Sequence, residues 1–183
     1  METPALILID IQNGFDDLAY WGNRNNPDAE RNASRLLHHW RKSQLPVFHI
    51  RHDSSNKASR LAPGQAGNSI KAIVSPLNGE AVIAKNVNSA FIGTDLKERL
   101  DKQGIRTLVV AGLTTDHCVS ITVRMAGNFG YTTLVASDAT ATFDRTGMQG
   151  EKFPASLVHN TALASLHGEF ATVLSTEELL KKF

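Results

Sequence analysis

Three side chains that could do chemistry together stand at the ends of predicted strands. Asp10 follows one apolar run, Lys85 ends another, and Cys118, the single cysteine of the chain, comes shortly after a third. A carboxylate can take the proton of a thiol and later return it to a leaving amine, while an ammonium group holds the carboxylate in place. The three residue types therefore predict a cysteine nucleophile served by Asp10 and Lys85.

Cys118 has the most informative surroundings of the three. It lies between a predicted strand and the first turn of a predicted helix, and open α/β sheets place their sites at the carboxyl ends of strands. A helix N-terminus favours a thiolate over a thiol, and the backbone N–H groups around Thr114 and Cys118 could supply an oxyanion hole. Asp116 is expected to cap this helix. The alternative for a lone cysteine is a small buried hydrophobic residue.

Asp10 and Lys85 also have ordinary interpretations. An aspartate that follows a strand often caps a turn, and a lysine at a strand exit is often solvated. The pattern of strand ends favours convergence of the three side chains without excluding these alternatives.

The elements that must position these residues alternate along the chain. Strands are predicted at 5–9, 46–51, 81–85, 105–111, 131–136 and 171–174, and helices at 28–43, 94–103, 117–129, 154–166 and 176–182. This alternation predicts an α/β fold with three α/β/α layers and a mostly parallel, six-stranded, Rossmann-like sheet in the strand order 3-2-1-4-5-6. The first and fourth strands flank the crevice of such a sheet. We expect one domain over residues 1–183.

Composition and charge narrow the class of protein. A net charge of +1 gives no electrostatic reason to expect a nucleic-acid or membrane partner. The first residues lack the basic and apolar stretches of a signal peptide, which predicts a cytoplasmic location. A nucleotide-binding module without covalent chemistry is a weaker alternative, because the turn after the first strand lacks the G-x-G-x-x-G phosphate cradle.

Four blocks of sequence carry a family resemblance. They are residues 8–15 (LIDIQNGF), 85–91 (KNVNSAF), 112–119 (GLTTDHCV) and the segment from 130–131 (GY) through 137–139 (SDA). In their order and spacing the chain resembles the isochorismatase-like cysteine hydrolases, which include nicotinamidases and carbamoylsarcosine-type amidases.

The resemblance implies a mechanism. It implies an Asp10–Lys85–Cys118 catalytic triad, an acyl-thioester intermediate, and hydrolysis by water that Asp10 activates. It also implies a cis peptide bond between Leu113 and Thr114, which would turn the Thr114 N–H toward the oxyanion alongside that of Cys118. The activity implied is hydrolysis of a small amide.

Other activities remain open within the resemblance. True isochorismatases cleave a vinyl ether and, as the family is understood, lack the cysteine, so its presence argues against that substrate. A ureido group or a lactam could replace the amide, and a catalytically silent oligomeric partner protein is a further alternative. The family resemblance also suggests a homodimer or a higher homo-oligomer.

The predicted substrate-binding residues are Phe15, Phe91, His52 and Gln12. The two phenylalanines, with Trp21 as a further candidate, would form an apolar wall, since small-ligand pockets are mostly apolar with a few placed polar groups. The long polar segment 52–69 is expected to be functional. We expect no cofactor.

We also expect no metal ion. Nicotinamidases carry a metal bound by Asp and His residues after the second strand, and this chain offers only His49, His52 and Asp53 there. His49 falls within a predicted strand, and segment 54–69 supplies no second histidine. A metal site needs three or more placed ligands.

Overall fold

A six-stranded parallel sheet is the centre of the fold in the computed structural model, which describes residues 3–183. The strands in chain order are β1 Pro4–Ile9, β2 Val47–His52, β3 Ala81–Lys85, β4 Thr107–Leu113, β5 Thr132–Ala141, β6 Arg145–Thr146, β7 Lys152–Phe153 and β8 Thr172–Leu174. The sheet order is β3-β2-β1-β4-β5-β8, and each neighbouring pair is parallel. The predicted strand order is confirmed, with β8 as the sixth predicted strand.

Helices cover both faces of the sheet. They are α1 Leu18–Trp21, α2 Ala29–Lys42, α3 Leu96–Lys102, α4 Ser120–Asn128, α5 Ala155–Leu166 and α6 Thr176–Lys182. Within residues 3–183, no helix combines the length and the apolar content that crossing a bilayer requires.

The alternation of β1 shows how the layers form. Ile7 and Ile9 pack in one core cluster with apolar residues of α3, α4 and α5. Leu6 and Leu8 pack in a second cluster with residues of α2 and α6. Because successive side chains of a strand point to opposite faces, a strand that is apolar at every position is buried between two layers of helices.

Helix α2 shows the matching pattern on the helical side. Its buried residues are Ala29, Ala33, Leu36, Leu37 and Trp40, which lie on one face at helical spacing. The Trp40 side chain is fully buried, and its Nε1 donates to a backbone oxygen of β1, 3.2 Å away. This stripe fixes α2 against the strand that leads to Asp10.

Three local features differ from the predictions. The segment between the predicted strand at 5–9 and the predicted helix at 28–43 contains a 3-10 turn, Asn13–Asp16, and the short helix α1. Strand β5 continues to Ala141, past the predicted end at 136, and its pairing with β4 shifts register on the way. The antiparallel hairpin of β6 and β7 has strands of two residues each, too short to produce a period in the sequence.

Gly112 occupies a position between β1 and β4 near the site that has no room for a side chain. It pairs with Ile9 and has a φ of +131°, outside the range that residues with a side chain favour. A Cβ atom at this position would lie 2.0 Å from the carbonyl oxygen of Ile9. The ends of the two strands, which carry Asp10 and the turn to Cys118, therefore meet without a side chain between them.

Candidate active site

Asp10 and Lys85 form a fully buried ion pair. Asp10 directly follows β1 and has a φ of +51°, a left-handed conformation that aspartate tolerates better than most residues. Its N–H donates to the carbonyl oxygen of Ile50, 2.9 Å away. Lys85, the last residue of β3, donates from Nζ to Asp10 Oδ2 at 2.6 Å, and both side chains are 0% exposed.

The second carboxylate oxygen of Asp10 has no hydrogen-bond partner among the described residues. A carboxylate oxygen of Asp10, a ring nitrogen of His52 and the Sγ atom of Cys118 all lie within 4.8 Å of one another. A buried acceptor without a partner costs about 1–3 kcal/mol. The group is thus poised to accept a proton from a nearby donor, and the Cys118 thiol is such a donor.

Cys118 lies in a π-helical turn, Thr115–Val119, which leads directly into α4. The carbonyl oxygen of Thr114 accepts from the N–H groups of His117 and Val119, both at 3.2 Å. The helix was predicted to begin near His117, and the π-helical turn replaces its first residues. The peptide bond between Leu113 and Thr114 is cis.

Burial controls protonation at this site. It raises the pKa of the Asp10 carboxyl above its ordinary range, and the neighbouring Lys85 charge only partly offsets it. Burial also raises the pKa of the Cys118 thiol, and the charge of Asp10 adds to this while Lys85 opposes it. The thiol is therefore protonated at rest, opposite to the direction expected from the helix N-terminus alone.

A cavity of about 120 Å³ opens onto Cys118. Phe15, Trp21 and Leu61 form its apolar side, while His52, Asn88 and Thr114 are among its polar residues. Asn88 Oδ1 is 3.8 Å from Cys118 Sγ. The cavity thus combines an apolar wall with a thiol and a few polar groups, which is the composition of a small-molecule pocket.

Two of the four predicted substrate-binding residues, Phe15 and His52, line this cavity, as does Trp21. Phe91 does not belong to its lining. Its ring packs edge-on against Phe129, with centroids 5.4 Å apart, and stacks on Tyr131 at 6.1 Å. The structure therefore places Phe91 in the core behind the nucleophile.

Gln12 is also displaced from its predicted position in the pocket. Its side chain is fully buried, and its amide is occupied by the protein backbone. Oε1 accepts from the N–H of His52 at 2.8 Å, and Nε2 donates to the carbonyl oxygens of His52 at 3.0 Å and Asn68 at 2.7 Å. A side chain with these bonds holds two segments together and has no free donor for a substrate.

Two loops build the apolar wall and are fastened to each other. Phe15 and Trp21, on the segment after β1, pack against each other with their rings tilted and the ring centroids 4.8 Å apart. Arg60, on the loop after β2, pairs with Asp17 at 2.6 Å and lies over the ring of Tyr20, 5.2 Å from its centroid. We call this pair of contacts the Arg60 clasp.

The same two loops touch through their backbones at two glycines. A Cβ atom on Gly67 would lie 2.4 Å from the Arg60 carbonyl oxygen and 2.7 Å from Cα of Gly14. One on Gly14 would lie 2.8 Å from the same oxygen. The wall of the cavity is therefore set by backbone packing as well as by the clasp.

The residues considered for a metal site do not converge. His49 Nε2 lies 2.9 Å from Glu80 Oε2, and Asp53 pairs with Arg51 at 2.8 Å. Among the described residues, Asp10, His52 and Cys118 form the one cluster with ligand spacing.

The donor set of that cluster does not suit a cation. Lys85 Nζ is 2.6 Å from Asp10 and 3.1 Å from His52 Nδ1, so an ammonium group already uses two of the three ligands. A metal ion would have to displace this buried charge or lie beside it.

Two polar networks behind the nucleophile were not predicted. Asp116 does not cap the helix, since its carboxylate accepts from Thr142 Oγ1 and, at 2.8 Å, from Arg145 Nε. Thr115 Oγ1 lies 2.9 Å from Nδ1 of His159, a buried histidine. Both networks join residues distant in sequence, and no local pattern marks them.

The fold is that of the isochorismatase-like hydrolases. The model of the isochorismatase domain matches residues 4–178. The chain belongs to the isochorismatase family.

Known proteins support this assignment over the whole chain. An isochorismatase family protein from Bacillus subtilis, YrdC, is 47% identical over 100% of this chain and 97% of its own length. A crystal structure of an isochorismatase-family protein from Chromobacterium violaceum has a TM-score of 0.95 and 46% identity, covering 99% of this chain and 93% of that one. Nicotinamidase 3 from Arabidopsis thaliana is 27% identical over 96% of this chain and 86% of its own length.

Proposed function

We propose that the protein is a cysteine-dependent hydrolase that cleaves the C–N bond of a small amide through an acyl-thioester intermediate. The observation that carries the proposal is the buried Lys85–Asp10 pair, 2.6 Å apart, with a carboxylate oxygen of Asp10 within 4.8 Å of Cys118 Sγ. The cavity of about 120 Å³ is small beside the roughly 300–1,000 Å³ of drug-sized ligand pockets, which favours a small substrate.

Acylation begins with proton transfer. Asp10 accepts the thiol proton as Cys118 Sγ attacks the amide carbonyl carbon, and the carbonyl oxygen becomes an oxyanion. The N–H groups of Thr114 and Cys118 stabilise that charge. The C–N bond then breaks, Asp10 gives its proton to the leaving nitrogen, and the acyl group stays on sulfur.

Deacylation repeats the proton transfers with water. Asp10 takes a proton from a water molecule, whose oxygen attacks the thioester carbonyl carbon. The C–S bond breaks, the proton returns to sulfur, and the carboxylic acid leaves. Amide and water are consumed, and acid and amine are released. The raised pKa of Asp10 suits both half-reactions, because it lowers the energy difference between donor and acceptor.

The family supports an amide as the scissile group. The relative from Arabidopsis thaliana is named as a nicotinamidase, an enzyme that acts on an amide. At 27% identity this relative supports an amide as the type of bond cleaved. A panel of candidate compounds is needed to identify the substrate. Phe15, Trp21 and Leu61, which line the cavity, set the acyl group accepted.

The test is a substrate panel with the nucleophile removed. Primary amides, ureido compounds and lactams are incubated with wild type and with Cys118→Ser, and ammonia and carboxylate are measured. We expect a primary amide to be hydrolysed with release of ammonia, and Cys118→Ser to lose about 10³-fold or more in rate. Intact mass should show an acyl adduct on wild type only.

Exposed Ser165 provides a matched control on the surface, and Ser165→Ala should keep the wild-type rate. Hydrolysis that survives in Cys118→Ser would contradict the proposal. Ureido cleavage or ring opening without ammonia, again dependent on Cys118, would retain the nucleophile and change the bond.

A further inference from the structure

We infer that His52 is a positioning residue that holds the Lys85 ammonium through its Nδ1 atom, and that Gln12 fixes the backbone that carries His52. This inference rests on the proposed function, because the direction of the Lys85 charge matters only if Asp10 and Cys118 do the chemistry. It gives His52 and Gln12 roles that differ from substrate binding.

The buried ammonium group of Lys85 needs more than one hydrogen-bond acceptor. A buried ammonium carries three donors and no acceptor, so it needs acceptors around it. Asp10 Oδ2 is one, at 2.6 Å, and His52 Nδ1 is the second, at 3.1 Å. A single acceptor would leave the ammonium free to turn about Asp10, whereas two acceptors fix its place beside the thiol.

The protonation of His52 follows from that contact. Because Lys85 can only donate, Nδ1 must present its lone pair, and the proton of the neutral ring is on Nε2. Burial, and then the Lys85 charge, lowers the pKa of His52, while Asp10 and Asp53 act in the opposite direction. The net lowering of the His52 pKa keeps the ring neutral, so Nδ1 can accept a hydrogen bond.

Gln12 makes this position rigid independently of the imidazole. Its Oε1 accepts from the N–H of His52 at 2.8 Å, and its Nε2 donates to the carbonyl oxygen of His52 at 3.0 Å. Both backbone polar groups of the last β2 residue are thus held by one buried side chain. A substitution of His52 therefore removes the ring while its backbone stays in place.

The test uses the single thiol as its own reporter. The rate of iodoacetamide alkylation is measured by intact mass at fixed pH in wild type, Lys85→Met, His52→Leu and His52→Asn. The Lys85 charge lowers the pKa of Cys118. Displacing that charge raises the pKa of the thiol and reduces the fraction of thiolate. We expect labelling of His52→Leu to slow about 10-fold.

The asparagine variant is the matched control. Its Oδ1 can reach the position of Nδ1 and accept from Lys85, while leucine is of similar size and cannot accept. We expect His52→Asn to label closer to the wild-type rate than to the leucine rate. Equal labelling of the two variants, whether fast or slow, would overturn the role of His52 as an acceptor.

Two further measurements keep the outcomes distinct. Turnover of the amide by Lys85→Met at the wild-type rate would remove the proposed function together with this inference, whereas inactive Lys85→Met with unchanged labelling of His52→Leu would remove the inference alone. If His52→Leu does not fold, as judged by its melting curve, His52→Ala replaces it. Added imidazole should then enter the cavity and accelerate labelling of that variant, and its failure to do so would count against the inference.

Discussion

Two buried lysines of this protein each pair with carboxylates. The pKa of the buried carboxyl group is raised in one pair and lowered in the other. Lys85 donates to Asp10 alone among the carboxylates, and both side chains are 0% exposed. Lys71, whose side chain is 11% exposed, binds Glu30 at 2.7 Å and also Asp16. Asp10 and Lys85 lie at the carboxyl ends of two strands of the sheet. The Lys71 pairs join α2 to the loops before and after it.

The difference lies in how completely each carboxylate is satisfied. Burial would raise the pKa of Glu30, but hydrogen bonds from Arg24 and Lys71 outweigh it and lower that pKa to about 2. One carboxylate oxygen of Asp10 has no partner within residues 3–183, and burial raises the pKa of Asp10. A fully bonded carboxylate stabilises the fold, and a partly bonded one remains able to accept a proton.

The same substitution at both lysines should separate the two roles most strongly. Lys85→Met should reduce kcat/KM on the amide selected from the panel by about 10³-fold, the size of a lost acid–base function. Its effect on stability should be small, because Asp10, with its raised pKa, can bind a proton and stay buried as a neutral acid. Activity and urea unfolding are measured on the same preparations.

Lys71→Met is the matched substitution and should show the reverse. Removing one partner leaves Glu30 with Arg24 only, which lowers stability while the folded protein keeps its turnover. Similar losses of activity in the two variants would mean that the two ion pairs do not differ in role.

Glu30→Gln should give the next largest effect, on stability. Its side chain is 12% exposed, and breaking such a pair leaves Lys71 and Arg24 without their common acceptor, at a cost of about 3 kcal/mol. The pKa of about 2 for Glu30 in the folded protein lies below its ordinary value of 4.5. The stabilisation is therefore present above about pH 4.5 and is lost as pH falls toward about 2.

Urea unfolding at neutral pH and at about pH 3 tests both parts of this prediction. Wild type should lose stability between these conditions, and Glu30→Gln should lose less. Glu177→Gln is the control, since its pair with Arg35 is mostly exposed and should contribute only about 0–1 kcal/mol. Equal unfolding midpoints for Glu30→Gln and Glu177→Gln would be incompatible with a structural role for Glu30.

The Arg60 clasp should give the smallest effect. Arg60→Met removes an exposed ion pair and a cation–π contact, together about 1 kcal/mol. The wall that carries Trp21 should then open more often. Acrylamide quenching reports on this wall, because the other tryptophan, Trp40, is fully buried. We expect stronger quenching and a larger change in KM than in kcat.

Arg99→Met, which removes an exposed pair with Asp95 on α3, is the control and should leave quenching unchanged. Equal quenching of wild type and Arg60→Met would show that the glycine contacts alone hold the wall.

The sequence revealed those parts of the fold that depend on local pattern. Short apolar runs mark each of the six sheet strands, and the rules of parallel sheets then order them. Placing Asp10, Lys85 and Cys118 at strand ends was sufficient to bring them to one edge. Parallel strands all point in the same direction, so their carboxyl ends lie at the same edge of the sheet.

Side-chain direction beyond the strand ends was not predictable in the same way. Phe91 and Phe15 look alike in sequence, yet Phe91 packs in the core and Phe15 lines the cavity. Gln12 was assigned to the pocket, and its partners lie 40 and 56 positions away in the chain. The pKa direction of Cys118 depends on burial and on the distance to Asp10, which only three-dimensional packing sets.

Gly112 limits which residues this position of the sheet can hold. Its missing side chain lets the carbonyl oxygen of Ile9 occupy the space where a Cβ atom would stand. Any larger residue there would wedge β1 and β4 apart just before Asp10 and the turn to Cys118. A position inside the sheet, without any reactive atom of its own, therefore has as little mutational freedom as the nucleophile that it brings into place.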